Sequence, residues 1–252
     1  MSRAKAKRMD SLEKAIEAAL ADGDFISYKA AWEFVEGLQR LADRVGETYR
    51  ERTDRAARLF AAFISACHEK ADEVDDSGGD FGMFIEDLFA GWIQASRSAG
   101  REPAAIAEFL TSWMESDPYG FCHDLERVAA TLLSKPELNA FADANRSKFD
   151  AAPVNDYKRR RWGERLKTAL AAARNINAYI ALCEQTKLTV KDCKVIAEMY
   201  RSRRRPGDAL AWIDRGLAAC DAQTSYAKVY RALAMRVVNA GKSQRARRRW
   251  PS

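Results

Sequence analysis

The chain has 252 residues, 47% of them hydrophobic, with only 13 glycines and 6 prolines, which suits a sizeable helical core or one elongated solenoid. No run of apolar residues is long enough to cross a membrane as a helix, and the basic opening MSRAKAKRMD has no apolar stretch behind it, which argues against a secretory signal. The formal charge of +6 is concentrated in Arg3, Lys5, Lys7 and Arg8 and in Lys242, Arg245, Arg247, Arg248 and Arg249, so the body between the two ends is net negative and a nucleic-acid-binding face on it is not implied.

The first predicted element covers 9–22, with Met9, Leu12, Ile16, Ala19 and Leu20 on one stripe and Asp22 and Gly23 ending it. Residues 27–45 place Tyr28, Ala31, Trp32, Val35, Leu38, Leu41 and Val45 at steps of three and four, and Gly46 is expected to close that helix. A helix over 47–71 turns Ala56, Leu59, Phe60, Phe63, Ile64 and Cys67 inward, and the turn DDSGGD (75–80) supplies breakers and a carboxylate for the next start. Residues 81–98 carry Phe84, Ile85, Leu88, Phe89, Trp92 and Ile93 on one face. Pro103 opens a helix with Ile106, Phe109, Leu110 and Trp113, and SDPYG (116–120) separates it from one with Leu125, Val128, Ala129 and Leu132. Pro136 starts another with Leu138, Phe141 and Phe149. A long basic helix with Tyr157, Trp162, Leu166 and Leu170 follows Pro153, and a short one over 175–184 carries Ile176, Tyr179, Ile180 and Cys183. Thr189 and Asp192 form a capping box. The stretch KLTV (187–190) alternates like a strand but is too short and runs into that cap.

The segment 196–220 reads as one unit of a helical repeat. Ile196, Ala197 and Tyr200 share a face, Pro206 and Gly207 make the turn, and Ala209, Ile213, Gly216 and Leu217 line the second helix. Residues 225–239 repeat a first half, with Val229, Leu233 and Val237 inward. Short connections pair 27–45 with 47–71, 81–98 with 103–115, 121–133 with 136–149, 154–173 with 175–184, and 189–202 with 206–219.

Residues 189–240 resemble tetratricopeptide-type repeats, on the spacing of Ala197, Tyr200, Ala209, Ile213 and Gly216, with Cys193 where that motif prefers tryptophan and Asp221 where proline often ends the unit. Over 20–240 the order DFISYKAAWEFVEGL (24–38), EVDDSGGDFG (73–82), WMESDPYGF (113–121) and DALAWIDRGLAA (208–219) is similar to a bacterial family of uncharacterised helical proteins often found beside SWIM-type zinc-finger segments. The resemblance implies an all-α fold and no known activity. The SWIM cysteine and histidine pattern is not present, so no zinc role carries over from it. The family pattern would pair the helix at 225–239 with another, whereas here the chain reads GKSQRARRRWPS, which raises the expectation of a repeat interrupted by truncation or a change of reading frame.

The candidate constellations each have a plainer reading. The pairs Cys67–His68 and Cys122–His123 suggest a zinc site, but adjacent helical residues point about 100° apart, so we read buried cysteines with exposed or capping histidines and expect no metal. Asp75, Asp76 and Asp80 lack the pattern of a calcium loop and are read as helix stop and start chemistry. Lys158 to Arg161 face all directions, Arg201 to Arg205 sit at a helix C-terminus where cations are favoured, and the tryptophans at 32, 92, 113, 162 and 212 are read as core. With two histidines and no triad, catalysis has little to start from, and neither an enzyme nor a cofactor is expected. Five cysteines without a C-x-x-C spacing point to reduced thiols and a cytoplasmic location.

The sequence therefore predicts an all-α protein, an α-solenoid of antiparallel helical hairpins that becomes tetratricopeptide-like toward its C-terminus. Its expected divisions are a basic disordered segment 1–8, a hairpin array 9–173, repeats 174–240 and a basic disordered tail 241–252. The expected function is a scaffold holding a protein or peptide, with Tyr200, Arg201 and Arg204 as candidate contacts. The alternative is a nucleic-acid-associated protein using the basic ends and the 158–161 run.

Overall fold

The computed structural model describes residues 10–117, 119–219, 228–237 and 239, and in them the protein is all-helical. The expectations for 1–8, Met9, 241–252 and part of 225–239 lie outside the described residues. No strand occurs among the described residues; an isolated parallel bridge joins Ile26 to Val74, and KLTV is a connection running into a helix. The helices fall into two compact units, 1–144 and 145–252.

The first unit begins with α1 (Ser11–Ala19), whose cap is the Asp10 side chain accepting from the Leu12 N–H. It continues with α2 (Tyr28–Thr48), α3 (Thr53–Lys70) with a short 3-10 turn (Ala71–Glu73), α4 (Asp80–Ser98), α5 (Pro103–Glu115) and α6 (Leu125–Leu132). Gly46 does not end α2; the helix runs on to Thr48, and the break before α3 falls at 49–52. The start of α4 is capped by Asp76, whose two carboxylate oxygens accept from the N–H groups of Phe81 and Gly82.

The core of this unit forms around α4, which packs against α2, α3, α5 and α6. Phe81, Phe84, Ile85, Leu88, Phe89, Trp92 and Ile93 are buried along it. Aromatic rings carry much of the packing. Trp92 stacks on Phe109 at 3.8 Å, Phe63 meets Phe84 edge-on at 5.4 Å, and Phe89 meets Trp113 at 6.1 Å. Gly91 lets α3 approach, since a Cβ there would fall 2.6 Å from Phe60 Cζ. The closest pairing in the unit is α3 with α4, which joins two of the hairpins expected from sequence; α5 touches α4 more lightly. A bidentate bond from Arg97 to the buried Glu137 carboxylate, at 2.6–3.1 Å, ties the end of α4 to the start of α7 (Lys135–Ala151).

The second unit contains α8 (Tyr157–Ala172), α9 (Ile176–Thr186), α10 (Val190–Ser202) and α11 (Pro206–Ala218), followed by helical residues 228–237. Here the sequence neighbours do pack as paired, with α8 on α9 and α10 on α11, and α10 also reaches α8 and α9. The capping box at Thr189 and Asp192 is present in both directions. Cys193, Ala197, Ala209, Ile213, Tyr230, Leu233 and Val237 make one buried cluster. Gly216 is the small residue this crossing needs, because any side chain there would run into the Tyr230 ring. Val229, expected inward, is instead exposed, and the inward residue of that turn is Tyr230, whose hydroxyl donates to the Val190 carbonyl.

Candidate functional site

Two features of the first unit stand apart from ordinary packing. One is a cleft of about 240 Å³ between α2 and α4, lined by Trp32, Val35, Glu36, Gln39, Asp80, Met83, Phe84 and Asp87. The helical period explains its origin. The buried face of α2 runs through Ala31, Leu38, Leu41, Ala42 and Val45. Trp32 is one residue, about 100°, beyond Ala31, and with Val35 and Gln39 it lines the neighbouring face. The expectation that Tyr28 and Trp32 are core is therefore corrected: they are 60% and 64% exposed. Met83 opposite is 59% exposed. The wall is apolar and its polar residues are carboxylates and an amide, with Glu36 also meeting Arg40 at 3.2 Å. Acidity extends along α4, where burial first, and then the charges of Asp124 and Asp87, hold Glu86 above the usual carboxylate range.

The other feature lies where α3 ends and the loop before α6 begins. His68 is buried, not exposed or capping as expected, while His123 is exposed. The His68 ring lies 4.5 Å from Trp113 and meets Phe121 edge-on at 5.3 Å. Asp117 organises the loop: one carboxylate oxygen accepts from the N–H groups of Gly120 and Phe121 at 3.0 and 3.1 Å, and the other accepts from Cys122 at 2.7 Å. Gly120 completes the turn in the left-handed region with φ +82°. Tyr119 anchors the loop further by donating to Asp72 at 2.9 Å. As a result one donor atom each from His68, Asp117 and Cys122 lie within 4.8 Å of one another. Burial holds the His68 imidazole below the ordinary histidine range, against the opposing pull of Asp117. The two Cys–His pairs thus contribute one residue each, and sequence spacing gave no sign of the third member, because Asp117 reads as a plain turn residue.

The contacts expected from sequence are in the second unit. Tyr200 is half-buried against the α10–α11 cluster, with the Arg205 guanidinium 5.1 Å over its ring. Arg201 and Arg204 are exposed at and beyond the end of α10, and Arg204 takes φ +58°. The 158–161 run is scattered around α8. Arg159 donates to the Phe149 and Ala152 carbonyls at 2.9 Å and lies 4.1 Å over the Phe149 ring, while Arg160 sits 5.9 Å from the exposed Tyr157. Trp92 and Trp162 are buried as core, Trp113 and Trp212 half-buried.

No helix among the described residues is long and apolar enough to cross a membrane. Comparison of the chain with protein-family models, curated proteins and solved structures returns no match.

Proposed function

We propose that the protein is a helical-repeat scaffold that holds a protein or peptide, and that the α2–α4 cleft is its principal contact. The observation that carries this reading is the exposure of Trp32 and Met83 on facing helices above an apolar floor. Large apolar side chains left in water at a concave site mark a surface that another molecule covers. The carboxylates of Glu36, Asp80 and Asp87 around it favour a partner whose apolar anchor is flanked by lysine or arginine. Groove recognition by preformed helices orders little on binding and so costs little entropy. Tyr200, Arg201 and Arg204 are secondary candidates at the end of α10, in a hairpin of the tetratricopeptide-like pattern.

The test is comparative capture from cells expressing the full chain. Wild type, Trp32→Ala and Met83→Ser are used as bait at low and high salt. Partners held by wild type and lost from both variants, with modest dependence on salt, support the reading. Identical partner sets for all three baits would end it, and retention of nucleic acid that collapses as salt rises would replace it with the nucleic-acid reading.

A further inference from the structure

We propose that His68, Asp117 and Cys122 are the protein ligands of a bound divalent zinc ion, a site distinct from the α2–α4 cleft. The donor set is one imidazole nitrogen, one carboxylate oxygen and one thiol sulfur, drawn together from the end of α3 and the loop before α6. That mixture suits a borderline cation such as zinc; calcium and magnesium call for oxygen donors throughout. Ligand atoms around tetrahedral zinc sit about 3.3–3.8 Å apart, from metal–ligand bonds of about 2.0–2.3 Å. The three donors lie within 4.8 Å of one another, so closing on the ion needs a contraction of at most about 1–1.5 Å.

A second observation points the same way. His68 is only 9% exposed, and its Nε2 has no hydrogen-bond partner among the described residues. A buried ring nitrogen left so is costly, and a metal ion bound through it would satisfy it. The surroundings are those of a prepared site. Trp113 and Phe121 pack against the imidazole ring. Three backbone N–H groups hold the Asp117 carboxylate in place while using three of its roughly four acceptor positions. Supporting hydrogen bonds of this kind orient metal ligands. Three protein ligands leave one coordination position for water or an added ligand, and Asp117, the half-exposed member, gives it a way to solvent. On binding, Cys122 gives up its thiol proton to bulk water and coordinates as thiolate.

The full chain, reduced and stripped of metal, is titrated with zinc in competition with a chromophoric chelator, and with cobalt followed by absorbance. One equivalent is expected, with a thiolate-to-cobalt charge-transfer band. Cys122→Ser should abolish the band, and Cys122→Ser and His68→Gln should each weaken zinc at least about tenfold. Cys67→Ser and His123→Gln should leave both unchanged. The chain has two histidines, so imidazole nitrogen NMR of the wild type gives a readout that does not depend on any variant of the site folding. The His68 ring, assigned with His123→Gln, should shift on adding zinc. Absence of saturable binding, an unmoved His68 resonance at saturating zinc, or wild-type zinc affinity in Cys122→Ser and His68→Gln would each overturn the assignment.

Discussion

At the scale of single residues, the second unit turns on a buried ion pair. Lys167 and Asp192 are 5% and 3% exposed and meet at 3.2 Å. Asp192 also accepts from Thr189 at 2.7 Å and from the Tyr179 hydroxyl at 2.9 Å, so one carboxylate caps α10 and ties it to α8 and α9. Burial alone would raise the Asp192 pKa, but the Thr189 hydrogen bonds, the Lys167 charge and Tyr179 outweigh it and the group lies below its ordinary 3.8. Burial likewise opposes the charge on Lys167, yet Glu164 and Asp192 hold it above 10.5. The signs follow by linkage. The Asp192 contribution is full above pH 3.8 and is lost as pH falls through the lower folded value. The Lys167 contribution is full below pH 10.5 and is lost as pH rises through its higher folded value. Asp192→Asn leaves a buried ammonium poorly paired, and we expect a loss of about 3 kcal/mol near neutral pH. Chemical denaturation of both proteins across pH checks it. The gap between them should be widest on the plateau and narrow below pH 3.8, and a gap that stays constant into acid would mean that the carboxylate charge is not what holds α10.

At the scale of elements, glycine separates two kinds of helix position. Gly46 lies in the last turn of α2 with nothing within 4 Å of a Cβ, whereas a Cβ at Gly91 meets Phe60 at 2.6 Å. Gly46→Ala should therefore stabilise by up to about 1 kcal/mol through helix propensity alone. Gly91→Ala should destabilise by about 1–3 kcal/mol, because α3 and α4 cannot both stay in place. Thermal melts of the two variants decide the matter, and a stabilised Gly91→Ala would show that Phe60 moves aside without cost. The same contrast shows what periodicity can tell a reader. It located the helices, the capping box and most of the buried stripe, because each depends on neighbours three or four residues away. It could not tell Ala31 from Trp32 as the covered side of α2, because that depends on which helix arrives from elsewhere in the chain. Nor could it see His68 turned inward, since its enclosure is made by Trp113 and Phe121, some fifty residues further on.

At the scale of the whole molecule, the all-helical class was legible in scarce glycine and proline and in the amphipathic steps, while the grouping of helices was not. Pairing by the shortest connections succeeds for α8 with α9 and α10 with α11 but understates α3 with α4, which are joined by the longer link 71–79, because loop length does not decide which of a helix's two chain neighbours packs more closely on it. Within the first unit, most of the helix packing joins a helix to its sequence neighbour or to the next but one, as in α1 with α3, α2 with α4 and α4 with α6, while the Arg97–Glu137 bond reaches from α4 to α7. The stacked-hairpin scaffold proposed above would have an energetic consequence. Stability in a stacked array is a sum of local and nearest-neighbour contributions, so damage should spread only a short way. Leu88→Ala on α4 removes a fully buried side chain and should cost about 2–5 kcal/mol. Hydrogen exchange of the variant should show protection lost first in α2, α3, α4 and α6, with α10 and α11 keeping wild-type protection. Ile213→Ala, at a buried position of α11, should give the reverse. If either substitution lowers protection equally from α2 to α11, the chain opens as one cooperative body and the stacked-repeat reading fails.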